Sequence, residues 1–201
     1  MSPVKNDADA KEVGAGDRPR KSAANVTFKL QRTISRRMAL MLLYAMDIVG
    51  GWEGVCAEES AALSASGDPD GDVEFLGGMN TLVREEFKCG VTSEIFRKAW
   101  TRARKLARGV DSHRREIDTM ISAAATNWDL HRINEVDRNL LRLAVYEMRH
   151  ADPVISPGIA INEAVEMAHD FGQKDSWRFV NGVLDRIRRI IEQEPLVLGG
   201  K

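Results

Sequence analysis

Apolar residues recur at helical spacing along most of the chain, and no stretch of useful length alternates in the way that a β-strand requires. The first apolar stripe lies within residues 28–49 and the second within residues 92–110, where Thr92 or Ser93 is placed to cap the helix. Four further helical segments follow in residues 112–128, 134–151, 158–172 and 176–193. The pattern predicts an all-α protein in which about seven helices pack as a compact bundle.

The segments between and around these helices set the expected domain limits. Residues 1–25 carry small and charged side chains without apolar periodicity, which predicts a disordered basic tail. Residues 26–194 form the predicted helical domain, and residues 195–201 a flexible C-terminal tail. An acidic inserted loop is expected at about residues 50–83, because Asp-Pro and Asp-Gly pairs interrupt this stretch.

Composition narrows the class of protein. The chain has 201 residues, of which 43% are hydrophobic and 29% charged, and no apolar run approaches the ~20 residues that span a bilayer. The N-terminus lacks the apolar stretch of a signal peptide, and Cys56 and Cys89 are too few for a disulfide framework. We therefore expect a cytoplasmic protein without a membrane function.

Charge is unevenly distributed although the formal net charge is only -1. Seven basic residues and no acidic one lie between Arg18 and Arg37, whereas seven acidic residues and no basic one lie between Gly50 and Val83. A basic block of this kind places a cationic surface against phosphate without making the whole molecule cationic.

Signatures of enzyme chemistry are missing from the sequence. It contains neither a phosphate-binding GxxxxGK[ST] loop nor a GxGxxG dinucleotide turn, and its four histidines are not spaced as a ligand set. Glu163 and Glu166 share a helix face, but this spacing is more typical of a solvated face than of an acid/base pair. We expect no metal, no cofactor and no catalytic residue, although a catalytic cysteine is not excluded by sequence alone.

The strongest functional signal is basic helix surface. Lys29, Arg32 and Arg36 lie within two turns of one helix face, as binding to successive phosphates requires, and a solvated helix end is the alternative interpretation. Aromatic side chains supply stacking surfaces for unstacked RNA bases. Tyr44 follows Arg37 by seven residues and Phe179 adjoins Arg178, but each aromatic taken alone is better explained as part of a core than as a stacking surface for a base.

Several segments resemble the NusB family of transcription antitermination factors. They are SRRMALMLLYAMDI near the N-terminus, and LARGVDSHRREID, NWDLHRINEVDRNLLRLAVYEM and AINEAVEMAHDFGQKDSWRFVNGVLDRI in the C-terminal half. The resemblance covers most of residues 29–190 and implies an all-helical fold of two small packed bundles without enzymatic activity. It further implies that the protein pairs with the small-subunit ribosomal protein NusE, binds the boxA sequence of nascent ribosomal RNA and works with the RNA polymerase antitermination complex.

The resemblance also implies roles for individual residues. The expected contacts to single-stranded boxA-type RNA are Lys29, Arg32, Arg36, Arg37, Tyr44, Asp175, Arg178 and Phe179. Asp175 is expected to limit RNA binding by repelling phosphate, and it is also placed to cap the last helix. The expected contacts to the ribosomal protein are Asp137, Arg138, Arg142 and Phe171. A salt bridge or cap within the fold explains Asp137 and Arg142 equally well.

Some residues depart from the family pattern or from the residue preferences of a helix. Arg37 stands where the family usually has a carboxylate, and Trp177 stands where many members have histidine, as either an exposed aromatic or a core residue. The basic stretch 97–109 is a hypothetical second RNA-facing surface. Gly182 falls inside the last predicted helix, where glycine costs ~1 kcal/mol relative to alanine and calls for close approach of another helix or of RNA.

Two other functions compete with RNA binding beside a ribosomal protein. One is a self-associating protein whose homodimer buries the arginine face. The other is an RNA-modifying enzyme, since NusB-like domains also occur fused to RNA methyltransferases, but the chain is short for such a fusion and has no cofactor-binding glycine turn.

Overall fold

The computed structural model describes residues 23–55 and 91–193. This part of the chain contains six α-helices, one 3-10 turn and no strand, which confirms the all-α prediction. The elements are α1 (Ala23–Val49), α2 (Ser93–Ser112), α3 (Arg114–Ala124), the turn Leu130–Arg132, α4 (Glu135–Arg149), α5 (Pro157–Phe171) and α6 (Ser176–Gln193). Residues 52–55 are also helical, which corrects the start of the stretch predicted as an acidic loop.

The described residues include one of the expected domain boundaries, the start of the helical domain. Helix α1 begins at Ala23, inside the segment predicted as a tail, so the helical domain starts before residue 26. The remainder of that tail, the acidic loop beyond residue 55 and the segment 195–201 lie outside the described residues.

Local signals fix several helix starts. Thr92 caps α2, because its hydroxyl accepts a hydrogen bond from the backbone N–H of Ile95 at 3.3 Å, as the sequence predicted. Asn134 caps α4 in the same way, accepting from the N–H of Val136 at 3.0 Å. Pro157 occupies the first turn of α5, where its missing N–H costs nothing.

Helix α4 is the centre of the bundle. It packs against each of the other five helices, and residues 140–148 are buried without interruption. Helices α1 and α2 pack together on one side of α4, and α5 and α6 pack together on another. One continuous apolar core joins these two groups.

The pairing of α1 with α4 is antiparallel. Arg36 of α1 contacts Glu147 near the end of α4, whereas Asp47 contacts Asn139 near its beginning. The contacts between α1 and α4 therefore extend over much of α4. Residues 137 and 147 of α4 are about 15 Å apart, because a helix rises 1.5 Å per residue.

Candidate nucleic-acid interface

Arg36 does not share the exposed position that its spacing with Lys29 and Arg32 predicted. It is 3% exposed, its Nε donates to Glu147 Oε2 at 2.7 Å, and its Nη1 lies 3.0 Å from Glu163 Oε2. Glu147 is itself 1% exposed. This corrects the expectation of a single exposed stripe: Arg36 ties α1 to α4 and α5 from inside, and it is left out of the RNA contacts proposed below.

A second internal cluster surrounds Asp47 at the end of α1. Its carboxylate accepts from the amide of Asn139 at 3.0 Å and from Arg114, and it lies 3.4 Å from Arg138 Nη2 and 3.5 Å from Arg142 Nη1. Burial by itself raises the pKa of Asp47, but the hydrogen bond from Asn139 and the charges of Arg142 and Arg114 outweigh burial and lower that pKa. The cluster is therefore held together by an ionised Asp47.

Arg142 and Asp137, which were expected to contact a partner protein, instead form hydrogen bonds within the fold. The guanidinium of Arg142 donates Nε to Asp118 Oδ1 at 2.7 Å and Nη2 to Asp118 Oδ2 at 2.9 Å, which joins α4 to α3. Asp137 is 7% exposed and accepts from the hydroxyl of Ser176 at 2.9 Å, while burial raises the pKa of its carboxyl. The alternative of a salt bridge within the fold thus describes Arg142, whereas Asp137 forms no salt bridge among the described residues and is held by the Ser176 hydroxyl. Arg138 is largely covered beside Arg142.

The exposed cations of α1 lie at its N-terminal end. Lys29 is exposed, and the guanidinium of the partly exposed Arg32 stacks over the ring of Phe28 at 4.9 Å. Nη1 of Arg32 is buried and has no acceptor within the described residues. Phe28 is 55% exposed, so cation and aromatic together form one surface feature that the sequence analysis did not single out. The sequence did indicate this contact, because Phe28 and Arg32 are four residues apart and residues at that spacing are neighbours on a helix.

Further along α1, the exposed face turns toward the end of α5. Arg37 pairs with Asp170, and its guanidinium lies over the ring of Phe171 at 5.2 Å. Phe171 is 40% exposed and Tyr44 is 46% exposed. Phe171 and Tyr44 are thus accessible at the surface, whereas the Arg37 side chain is only 14% exposed and is held by Asp170.

The start of α6 forms the other end of the candidate interface. Asp175 and Arg178 are strongly exposed and pair at 3.2 Å, and Phe179 packs edge-on against the exposed Trp128 with ring centroids 5.4 Å apart. Trp177 is partly buried, stacks on His169 at 5.0 Å and packs against the core, so it lies between the two roles left open for it. Beside Trp128 and Phe179 lies an open cleft of about 600 Å³ that includes Asp175.

Gly182 has no packing reason for lacking a side chain. A Cβ built at this position meets nothing within 4 Å among the described residues, so close approach of another helix does not explain the glycine. Gly109 shows the opposite case, because a Cβ there would lie 2.1 Å from the ring of Tyr146 on α4. The open side of Gly182 adjoins Trp128 and Phe179 in a small depression.

These positions form an extended surface rather than a compact pocket. Arg36, one turn from Arg32, contacts Glu147 near one end of α4, and Ser176, the neighbour of Asp175, contacts Asp137 near the other. These two points on α4 are about 15 Å apart. Cations and accessible aromatics spread over that length suit a flexible polymer with repeating negative charge and stackable rings. Within residues 23–55 and 91–193, no group of three or more His, Cys, Asp or Glu is arranged to hold a metal ion. None of the helices in these ranges has the length and apolar character needed to cross a membrane.

Fold and surface together define an all-helical module with exposed cations and aromatics around an interior braced by ion pairs. The sequence pattern of the NusB family matches residues 81–189, which is more than half of the chain. The transcription antitermination protein NusB of Anaeromyxobacter sp. (strain Fw109-5) is 36% identical over 158 residues, covering 79% of this chain and 90% of the relative. The chain therefore belongs to the NusB family, which consists of transcription antitermination factors and not of enzymes.

Solved structures agree with this assignment. NusB of T. maritima is 29% identical and superposes with a TM-score of 0.53, covering 79% of this chain and 90% of that one. A crystal structure of the antitermination factors NusB and NusE in complex with double-stranded RNA contains a chain that is 25% identical, with a TM-score of 0.52 and coverages of 80% and 97%.

Proposed function

We propose that this protein is a transcription antitermination factor that binds single-stranded boxA-type RNA jointly with the ribosomal protein NusE and promotes read-through by RNA polymerase. Membership of the NusB family supports the proposal, and so does the related structure solved with NusE and RNA. The observation that carries it is the exposed surface that runs from Arg32 to the start of α6. Such a factor acts where nascent RNA is made, which in bacteria is the cytoplasm.

The proposed RNA contacts divide into cations and stacking surfaces. Lys29, Arg32, Arg37 and Arg178 supply positive charge for the phosphates, while Tyr44 and Phe179 offer rings to unstacked bases. Asp175 opposes this attraction, because its carboxylate is exposed and neutralises Arg178 at 3.2 Å.

The proposed contact to the ribosomal protein centres on Phe171. Its ring is 40% exposed at the end of α5 although it is large and apolar, and accessible aromatics of this kind are typical of protein interfaces. Arg138 and Arg142 support this region from within, by fixing α4 to Asp47 and Asp118.

The test is the affinity for a boxA-type single-stranded RNA, measured by fluorescence anisotropy across a salt series with and without NusE. NusE should tighten binding, and Arg32→Gln should weaken it while flattening the dependence of log K on log salt by about 0.7, the value for one lost phosphate contact on a single strand. Arg115→Gln is the matched control, because it removes one exposed positive charge at the start of α3. Equal behaviour of the two variants would contradict the proposed site.

Sedimentation of the same samples distinguishes a homodimer of this protein from a heterodimer with NusE. If the arginine face is buried between two copies, the dimer should persist when NusE is added and RNA affinity should remain weak. A heterodimer that binds RNA more tightly supports the antitermination function instead.

A further inference from the structure

The outer face of α2 is strongly cationic, and the RNA contacts proposed above leave it unused. Arg97, Lys98, Lys105 and Arg108 are exposed and recur at spacings that place them on one face of the helix. Glu94 forms a salt bridge with Lys98 at 2.6 Å, and the hydrogen bond from Lys98, together with the nearby charge of Arg97, lowers the pKa of its carboxyl. Arg97 and Lys105 form no salt bridge within the described part of the chain. We call these four cations the α2 cationic face.

This face continues onto α1. A groove of about 370 Å³ connects it to Gln31, the neighbour of Arg32, and Arg97, Arg102 and Lys105 line the groove. Burial lowers the pKa of Arg102, and the positive charge of Arg32 lowers it further, although Glu147 opposes both effects. Nε of Arg102 and Nη1 of Arg32 are both buried without an acceptor in the described residues. Donors in surplus beside unneutralised cations suit an anionic ligand.

The shape and composition of the face favour a nucleic-acid strand over a protein. Arg97 and Arg108 are eleven residues apart, so the face is about 16 Å long, the length over which one strand of a duplex carries about five phosphates. Protein interfaces are rich in aromatic and apolar side chains and poor in lysine. None of the exposed large apolar residues in the described ranges lies on α2.

We propose that the α2 cationic face binds the phosphate backbone of RNA lying outside the boxA-type sequence, as a continuation of the track that passes Lys29 and Arg32. Among the described residues, only Arg108 of the four cations lies over a ring, that of Trp52 at 5.4 Å, and no exposed large apolar side chain lies on α2. The face therefore offers charge rather than base-stacking surfaces, and it holds the strand without reading its bases. The inference rests on the proposed function, because Arg32 is the point at which the two surfaces join.

Two RNAs and three forms of the full-length protein test the inference. The first RNA is a short boxA-type single strand, and the second is the same strand with uridine tracts added at both ends. The wild type is compared with Arg97→Gln/Lys105→Gln on the α2 cationic face. The matched control is Arg188→Gln/Arg189→Gln, which removes two positive charges near the end of α6, where both arginines contact Asp185.

The wild type and the control should bind the extended RNA more tightly than the short one, and the α2 variant should lose that gain while binding the short RNA normally. Two lost phosphate contacts should lower the slope of log K against log salt by about 1.4, so that between 50 and 200 mM salt the affinity of the wild type for the extended RNA falls about sevenfold more than that of the variant.

Equal binding of the extended RNA by the α2 variant and the control would overturn the inference, as would a loss of NusE binding with RNA binding intact. Failure of the proposed function has a different signature. In that case Arg32→Gln leaves the short RNA unaffected, while the α2 variant still loses affinity for the extended strand.

Discussion

Arg32 and Arg36 lie one turn apart on α1 and have opposite surroundings. Arg32 is partly exposed, stacks on Phe28 and retains a donor without an acceptor, whereas Arg36 is buried between Glu147 and Glu163. Withdrawing Arg36 toward a ligand would take one cationic partner from the buried Glu147, which Arg102 also contacts at 3.2 Å, and would take a partner from Glu163. Such a loss in a poorly solvated site is costly. Position relative to neighbouring helices, and not residue type or spacing, therefore separates an arginine that is accessible to a ligand from one that braces the fold.

The same contrast holds for larger groups of charges. Around Asp47, three arginines converge on carboxylates between α1, α3 and α4, and each has a defined partner. On the α2 cationic face, by contrast, Arg97 and Lys105 have no carboxylate partner in the described ranges. Internal arginines should therefore affect folding, and external cations should affect binding.

The largest expected effect tests the buried member of the α1 pair. Arg36→Met should lower the free energy of unfolding by about 3 kcal/mol, because it removes a salt bridge from the buried Glu147 and another from Glu163. This value is at the low end for a broken buried pair, because Arg102 still contacts Glu147. Urea denaturation measures this loss. Lys29→Met is the control on the exposed face and should change stability by less than about 0.5 kcal/mol. If Arg36→Met keeps full stability and loses RNA affinity as Arg32→Gln does, the assignment of a structural role to Arg36 is wrong.

The next effect concerns acid stability and Asp47. Because the pKa of Asp47 is lowered in the folded protein, its stabilising contribution is present above the ordinary aspartate pKa of about 4 and is lost as the pH falls through the lowered value. Asp47→Asn should cost about 2 kcal/mol at pH 7, the scale of hydrogen bonds to a charged group. Its unfolding free energy should also decline less than that of the wild type between pH 5 and pH 2. Parallel pH curves for the two proteins would show that Asp47 does not hold the cluster.

Two glycines extend the comparison of interior with surface. Gly109→Ala should destabilise the protein by about 1–3 kcal/mol, because its Cβ would overlap the ring of Tyr146. Gly182→Ala should stabilise it by up to about 1 kcal/mol, because alanine favours a helix and its Cβ has open space. Thermal or urea unfolding of both variants measures whether each substitution lowers or raises the free energy of unfolding.

A separate measurement asks why Gly182 is a glycine. If RNA approaches this side of α6, Gly182→Ala should lower RNA affinity while it raises stability. Unchanged affinity together with higher stability would remove Gly182 from the candidate interface.

The smallest effect involves the exposed pair at the start of α6. Asp175→Asn should raise the affinity for boxA-type RNA about twofold, because it removes a repelling charge and releases Arg178, and exposed pairs of this kind are worth under about 1 kcal/mol. Stability should hardly change. Anisotropy at low salt is the appropriate measurement, and lower RNA affinity in the variant would mean that the carboxylate contributes a favourable contact.

Much of the fold follows from local sequence. Apolar residues at helical spacing predict helices α1 to α6, and Thr92 or Ser93 marks the start of α2. Both signals are local, because periodicity and capping depend only on residues within a few positions of one another. The motifs that resemble the NusB family are likewise continuous stretches of sequence. The helix class, most helix limits and the family could therefore be predicted from the chain alone.

The tertiary structure alone decided which charged side chains reach the surface. Spacing put Arg36 beside Lys29 and Arg32, but α4 and α5 cover it with Glu147 and Glu163, residues more than a hundred positions away. Asp137 and Arg142 likewise face other helices. A helix face is a local property, whereas its exposure depends on which distant segment packs against it, and this is why the sequence predicted the helices of this protein but not the division of its arginines between core and surface.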